Sequence, residues 1–271
     1  MRNTCAQKTW ITIAGILGSL DEKIEINRRK IAELEALAKL IYDHWFIQFD
    51  FPDANGKPYK SSGGKMVWNE TLKRNIPEGW TSDMLSAFVS IQTEIVNPQN
   101  MSQATIVEHY SIPAYDEGRF PSFESARSIL SNKFAVPPRS ILFSKLNPQF
   151  KRLWNPLRLT ESAITSTEFI VYLPFNDNEH GYVYSVLNSD AFYKFSNAIA
   201  SSSTGSRKRL DPNDTKRFAV VLPPEALLLK FSEIIDSGLT QINKIKLEIK
   251  KLTSCRDWLL PMLMNGQVTF K

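Results

Sequence analysis

The sequence predicts an α+β fold in which one mixed domain is flanked by two long helices. Two observations carry this prediction: an apolar heptad pattern near each end of the chain, and short β-type runs broken by Pro, Asn and Gly clusters in its middle. The chain has 271 residues, of which 42% are hydrophobic and 23% are charged. That composition is sufficient for one large domain with appendages and excludes global disorder.

The first helix is predicted from residue 20 onward, where apolar positions step by alternating fours and threes. These positions are Leu20, Ile24, Asn27, Ile31, Leu34, Ala38, Ile41 and Trp45. The charged residues of this segment fall mostly outside the seam, as a heptad pattern requires. Asn27 is polar, and an amide at a seam position fixes register or partner at a cost in stability.

A second helix with the same spacing is predicted to begin after the Pro223-Pro224 pair and to end at Pro261. Either helix alone could simply pack on its own domain core, but two of similar length at opposite ends favour a pair. At 1.5 Å per residue each would span roughly 40 to 50 Å. Heptads permit pairing within one chain or between two copies. The second seam contains Leu228, Phe231, Ile235, Gly238, Ile242, Ile245, Ile249, Leu252, Arg256 and Leu259.

The segment between the helices changes character. Residues 52–65 are rich in Pro and Gly and are predicted to be a linker or exposed loop. Strands are predicted at residues 140–146, 168–174 and 217–223, and one amphipathic helix at residues 185–201. The predicted divisions are a helix in 1–50, a linker loop in 51–75, a mixed domain in 76–223, and a helix with its tail in 224–271.

No catalytic constellation is recognisable in the sequence. The histidines lack metal-ligand spacing, and the segment SSGGK fails as a phosphate loop because Met66, and not Ser or Thr, follows Lys65. Glu161 and Glu168 could contribute to a magnesium site, but no short motif marks one. We therefore expect no catalytic residue, no metal and no cofactor on this chain.

In the middle of the chain, where positive and negative charges nearly balance, the cations form two clusters. The net charge is +5, which permits nucleic-acid binding without proving it. Cations cluster at 145–152 and at 207–209, where they follow a run of small polar residues. Hydroxyl groups and a glycine can contact a phosphate, arginine can hydrogen-bond to guanine, and Asn or Gln can hydrogen-bond to adenine. A solvated polar loop that binds nothing would have the same composition. The candidate DNA-binding residues are Ser203, Thr204, Gly205, Ser206, Arg207, Lys208, Arg209, Lys145, Asn147, Gln149, Lys151, Arg152 and Arg119.

Three stretches resemble type I restriction-modification specificity subunits. They are LDEKIEINRRKIAELEALAKLIYDHWFIQFDFPDANGKPYKSSGGKMVW, IPEGW and RDWLLPMLMNGQV, which resemble the central conserved region, the entry to a target-recognition domain and the distal conserved region. The segments ILFSKLNPQFKRLW, AITSTEFIVYLP and SSSTGSRKRL are similar to parts of that family's recognition domains. Family members usually carry two recognition domains, whereas this chain carries helix, domain and helix, and so resembles a half-length form.

The resemblance implies a role and partners. Members of the family are not catalysts; they bind DNA and dock methyltransferase subunits, which use S-adenosylmethionine, and through them a restriction subunit that uses ATP and magnesium. The two helices would pair as an antiparallel coiled coil, and a homodimer would recognise an interrupted palindrome. Residues expected at helix pairing and partner docking are Leu20, Ile24, Asn27, Ile31, Leu34, Ile41, Trp45, Ile235, Ile242, Ile245, Ile249, Leu252 and Trp258.

Other functions remain open at this stage. The chain could be a silent recognition cassette or a free-standing DNA-binding protein. Two alternatives belong to other functional classes: a small magnesium-dependent nuclease and a purely structural coiled-coil protein. It has no run of eighteen apolar residues and no convincing signal peptide. Cys5 and Cys255 lie far apart and suggest neither a disulfide nor a zinc site. We expect the protein to be cytoplasmic.

Overall fold

The computed structural model describes residues 2–102, 104–200 and 208–264, with side chains from residue 14 to residue 263 within those ranges. The chain divides into two compact units, one formed by Met1–Leu37 with Gly238–Lys271 and the other by Ala38–Ser237. The predicted α+β class, with a long helix near each end, is confirmed. Among the described helices, none is sufficiently long and apolar to cross a membrane.

Six α-helices are present in the described residues, and two of them are long. Two helical predictions were wrong. The second long helix continues past Pro261, because this residue stands three positions before the helix end and its missing N–H removes only one bond. The predicted helix 185–201 is two helices, because Ser189 is extended and its hydroxyl accepts from the Phe192 N–H at 3.1 Å, as an N-cap does. The helices are α1 (Arg2–Tyr42), α2 (Ile112–Gly118), α3 (His180–Asn188), α4 (Asp190–Ile199), α5 (Pro212–Thr215) and α6 (Glu225–Met264).

The first unit contains the part of each predicted seam that lies before residue 38 or from residue 238 onward. Arg256 Nη1 lies 2.8 Å from Asp21 Oδ1, and Lys23 Nζ lies 3.4 Å from Glu248 Oε1. Residue numbers rise along one helix as they fall along the other, so the two segments are antiparallel. The apolar seam of each helix therefore packs against the other long helix of the same chain. The buried seam residues of this unit are Ile24, Asn27, Ile31 and Ile242, which are 1% to 8% exposed.

The second unit contains two larger sheets, one antiparallel and one mixed. A four-stranded antiparallel sheet has the order β10-β9-β12-β4, and a five-stranded sheet has the order β5-β8-β11-β6-β7, in which only β11 and β6 are parallel. The pairs β1-β2 and β13-β3 are separate antiparallel ribbons. The three strands predicted from sequence correspond to β9, β12 and β13. The strands are β1 (Met66–Asn69), β2 (Arg74–Pro77), β3 (Thr81–Met84), β4 (Val89–Gln92), β5 (Ile95–Val96), β6 (Ile106–Tyr110), β7 (Ser122–Ser125), β8 (Lys133–Ala135), β9 (Ile141–Ser144), β10 (Leu153–Trp154), β11 (Ala163–Ser166), β12 (Phe169–Pro174) and β13 (Ala219–Leu222).

An aromatic cluster joins the end of the first long helix to α6 within the second unit. Phe46, in the π-helical turn Asp43–Ile47 that follows α1, is fully buried, and its ring centroid lies 4.7 Å from that of Phe231 in α6. Trp45 is only 7% exposed and lies 5.5 Å from the same Phe231 ring. Trp45 is therefore a core anchor in this structure, which is the alternative to a docking role that its sequence context also allows.

Gly181 sets the closest approach between α3 and the amino-terminal part of α6. A Cβ at this position would lie 2.5 Å from the Ser232 carbonyl oxygen and 2.9 Å from the Ser232 Cα. Only glycine permits this spacing, and the neighbouring Tyr182 N–H then donates to Ser232 Oγ at 3.2 Å. The contact between Gly181 and Ser232 therefore fixes the spacing between α3 and α6.

Candidate nucleic-acid interface

The turn between β9 and β10, residues 145–152, contains one of the two predicted cationic clusters, and it lies directly beside the other. Leu146 and Arg209 form an antiparallel β-bridge. The Asn147 N–H donates to the Lys208 carbonyl at 2.9 Å, and the Leu210 N–H donates to the Lys145 carbonyl at 3.0 Å. Two segments about sixty residues apart in sequence are thus held side by side by backbone hydrogen bonds.

The third predicted position, Arg119, is connected to the same turn through α2. Arg152 donates from Nε and Nη2 to the two carboxylate oxygens of Asp116 in α2, each at 2.8 Å. The Tyr115 hydroxyl, also in α2, donates to the Lys151 carbonyl at 3.2 Å. Arg119 caps the end of this helix in a left-handed conformation, with φ of 56°. Turn 145–152, the described residues Lys208 and Arg209, and the end of α2 therefore lie close together in the second unit.

The hydrogen bond between Arg152 and Asp116 also sets their ionisation. It lowers the pKa of the Asp116 carboxyl from its ordinary value and raises the pKa of the Arg152 guanidinium. Both groups stay charged at neutral pH. Arg152 connects the turn to α2, and two of its hydrogen-bond donors are already used by Asp116. It is therefore less suited to contacting bases than the sequence indicated.

The other described cations of this edge differ in how far they are engaged. Lys151 Nζ donates to the Asn188 carbonyl at 2.7 Å and lies 4.7 Å from the centre of the Tyr193 ring. Arg209 donates from Nη2 to Glu168 Oε1 at 2.7 Å while its side chain remains 56% exposed. Lys208 is exposed. The edge thus combines one exposed lysine, Lys208, with cations that are held by acceptors of the protein.

Five predicted DNA-binding residues lie outside the described residues. They are Ser203, Thr204, Gly205, Ser206 and Arg207. Their assignment stays a prediction from sequence. The segment that follows them begins with Lys208, whose carbonyl accepts from Asn147.

Sequence reasoning missed three residues of this edge. Glu168 was considered only as a magnesium ligand, yet it holds Arg209, and its carbonyl accepts from the Lys145 N–H at 2.9 Å. Asp116 gave no signal, because it lies 36 positions from its partner. Phe150 stands in the polar turn as a 55% exposed aromatic residue, which its sequence context could have revealed. Among the described residues, no group of three or more His, Cys, Asp or Glu is placed to hold a metal.

The predicted pairing and docking residues occupy different environments. The half-buried members are Leu20, Leu34, Ile41, Ile245, Ile249 and Leu252. Ile235 is 2% exposed within the second unit. Trp258, in contrast, is 59% exposed, and Leu260, two positions further along α6, is 42% exposed. Of the two tryptophans predicted for docking, only Trp258 offers a ring to solvent.

Sequence comparison finds relatives of one kind. The chain is 22% identical over 268 residues to the Type I restriction enzyme MjaIX specificity subunit of Methanocaldococcus jannaschii, covering 94% of this chain and 58% of that relative. It is 21% identical over 312 residues to the Type I restriction enzyme HindI specificity subunit of Haemophilus influenzae, covering 97% of this chain and 68% of the relative. A scan against protein-family models found no match.

Fold comparison leads to the same group. The chain superimposes on the S subunit of a type I restriction-modification system from M. genitalium with a TM-score of 0.58 at 16% identity, over 94% of this chain and 60% of that one. A chain from a structure of complex assembly and conformational transition of the type I restriction-modification system gives a TM-score of 0.50 at 18% identity, over 72% and 50%. The chain thus spans little more than half the length of most of these proteins. These comparisons confirm the resemblance recognised from sequence motifs: over most of its length this chain is similar, in sequence and in fold, to type I restriction-modification specificity subunits.

Proposed function

We propose that this chain is a DNA-binding specificity subunit of a type I restriction-modification system that recognises one half of a bipartite target. The recognition domain is assigned to residues 76–223, between helical segments 1–50 and 224–271 with a linker at 51–75. The observation that carries the proposal is the convergence of turn 145–152, segment 208–210 and the end of α2 on one edge. Hydroxyl, amide and cationic groups on adjacent segments suit contact with phosphates and base edges.

Docking of a methyltransferase subunit is the second part of the proposal. The specificity-subunit relatives support it, and so do the exposed side chains of Trp258 and Leu260 near the end of α6, since large apolar side chains at the surface are typical of protein interfaces. The restriction subunit would join through the methyltransferase subunit. S-adenosylmethionine, ATP and magnesium would be bound by those partners, and this chain itself would be non-catalytic.

A homodimer that recognises an interrupted palindrome is the third part. Two copies of this chain would present two recognition domains to two half-sites, and two-fold symmetry of the protein would impose symmetry on the target. The intrachain burial of Ile24 and Ile242 means that such a dimer cannot use these seam positions as its contact. The exposed faces of α1 and α6 would have to supply it.

The alternatives differ in what they predict. A silent cassette or free-standing DNA-binding protein would bind DNA without directing methylation. A small metal-dependent nuclease would cleave DNA without partner subunits. The acidic residues considered for its metal site are Glu161 and Glu168. Glu161 pairs with Arg158 at 2.8 Å, and Glu168 pairs with Arg209. These two carboxylates are engaged by arginines in the described structure, which favours the binding role over a shared metal site.

The decisive experiment is a methylation map of DNA from cells that co-express this chain with its cognate methyltransferase subunit. A new interrupted palindrome is expected, and it should vanish when the chain is omitted. Absence of any new methylated site, with both proteins expressed and folded, would contradict the docking proposal and favour a free-standing binder. Incubation of the purified chain with plasmid and Mg²⁺ tests the nuclease directly, since any turnover would contradict the non-catalytic role.

A further inference from the structure

Phe150 is an exposed aromatic residue in the turn 145–152. It is 55% exposed, and its backbone N–H donates to the Asn147 carbonyl at 2.9 Å, which closes the turn. Asn147 has φ of 49°, a left-handed conformation that Asn accepts more readily than most residues. A large apolar side chain is therefore presented to solvent by a turn that has a defined backbone geometry.

The two cations that follow Phe150, Lys151 and Arg152, are held by other parts of the domain. The Arg152 guanidinium carbon lies 5.2 Å from the centre of the Phe150 ring, and the two hydrogen bonds to Asp116 anchor this guanidinium. Lys151 is anchored by the Asn188 carbonyl. The ring therefore stands on a supported turn, with a cation placed at cation–π distance.

The surroundings of Phe150 indicate the chemistry of what it contacts. The adjacent residues Gln149 and Lys151 are exposed, and Lys208 is exposed on the neighbouring bridged segment. The centre of a protein–protein interface is depleted of charge and Lys in particular, so this setting is unsuited to a protein partner. An aromatic ring surrounded by cations and amides is typical of surfaces that stack on nucleobases while their charges contact phosphates.

We infer that Phe150 is a wedge that inserts at a base step of duplex DNA and partially unstacks it. This inference rests on the proposed function, because it requires that the edge formed by turn 145–152 and segment 208–210 faces DNA. Insertion would place the ring against the bases while Lys208 and Gln149 contact the backbone or groove. Unstacking would also make recognition sensitive to the flexibility of the step, which is easiest to open at pyrimidine–purine steps.

The test uses the full-length chain and a duplex that the wild-type chain selects from a randomised pool. The adenine analogue 2-aminopurine, which fluoresces when unstacked, is placed at successive positions of that duplex. Wild-type protein is expected to raise the fluorescence at one step. Phe150→Ala is expected to abolish the rise and to weaken binding roughly 10- to 100-fold, the range for loss of an aromatic–base stack. Phe150→Trp retains a ring and should retain the rise.

Phe175→Ala is the matched control. Phe175 is 58% exposed and lies beyond the opposite end of β12 from Glu168, about 20 Å away along the strand. Its removal should leave both fluorescence and affinity unchanged. Wild-type protein that binds without any rise, or a folded Phe150→Ala protein that binds and unstacks like wild type, would overturn the wedge alone. Wild-type protein that selects no duplex would overturn the proposed function and the wedge with it.

Discussion

Arg209 and Glu168 form an ion pair in which the guanidinium Nη2 lies 2.7 Å from the carboxylate Oε1. Arg209 is the more exposed partner, at 56% against 25% for Glu168. Surface ion pairs of this kind contribute little to stability, with a median of about 0 to 1 kcal/mol. The pair between Arg209 and Glu168 matters more for DNA binding than for stability, because Glu168 competes with phosphate or guanine for Arg209 at the candidate interface.

Replacement of Glu168 by Gln should therefore strengthen binding to DNA of any sequence. The freed Arg209 can add one phosphate contact, so the slope of log affinity against log salt should steepen by about one. Fluorescence anisotropy with a random-sequence duplex between 50 and 200 mM salt (roughly the range over which phosphate contacts dominate) measures both quantities. Glu161→Gln makes the same charge change at the Arg158 pair. Equal effects of the two variants would show that net charge, and not Arg209, is responsible.

Arg207→Ala and Lys151→Ala should separate base recognition from phosphate contact. Arg207→Ala should relax preference at one base pair, at a cost of about 1 to 3 kcal/mol on the target, whereas Lys151→Ala should weaken all sequences alike. Competition binding with the target and with each single-base variant distinguishes these outcomes. If both variants lose affinity equally for target and random DNA, the assignment of Arg207 to a base is incorrect.

The predictable part of the fold is the part that local pattern determines. The heptad seams predicted the long helices, and the continuous apolar run of Phe169–Pro174 predicted β12. The break at Ser189 was missed because the apolar face continues on both sides of the cap. Sequence also identified the cationic clusters at 145–152 and 207–209 as separate candidates. Their adjacency depends on backbone hydrogen bonds between distant segments, which no local pattern encodes.

The acidic partners of the interface were unpredictable for the same reason. Arg152 and Asp116 are 36 positions apart, and Arg209 and Glu168 are 41 apart. A formal charge count treats each cation as free, whereas the fold assigns two of these arginines to carboxylates. The sequence therefore identified candidate cations but did not indicate that Arg152 and Arg209 are engaged by carboxylates.

Asp236→Asn should destabilise the second unit at neutral pH. Asp236 accepts from Arg139 Nη2 at 2.6 Å and lies 2.6 Å from His180 Nδ1. Burial raises the pKa of Asp236, but the hydrogen bonds and charges of His180 and Arg139 outweigh burial and leave the pKa below its ordinary value. A depressed carboxyl pKa stabilises the fold above the unfolded-state pKa of about 3.9, and that stabilisation is lost as pH falls through the folded-state value.

The expected loss at pH 7 is about 1 to 3 kcal/mol in the free energy of unfolding, measured by urea denaturation. The difference between wild type and Asp236→Asn should shrink as the pH is lowered below about 4. Asp214→Asn is the control, because Asp214 pairs with Arg217, which is 80% exposed. That variant should change stability by less than about 0.5 kcal/mol. A gap between wild type and Asp236→Asn that does not depend on pH would contradict the role of the Asp236 charge.

Asn27→Leu should stabilise the helix pair of the first unit. Asn27 is 1% exposed, and its Nδ2 has no hydrogen-bond partner among the described residues. Leucine at this seam position would remove the desolvation cost of the amide, about 1 to 3 kcal/mol, and raise the melting temperature. If the amide fixes register, the variant should also gain other oligomers, seen by light scattering. Arg29→Leu on the exposed face is the control, and a lower melting temperature for Asn27→Leu than for this control would contradict the prediction.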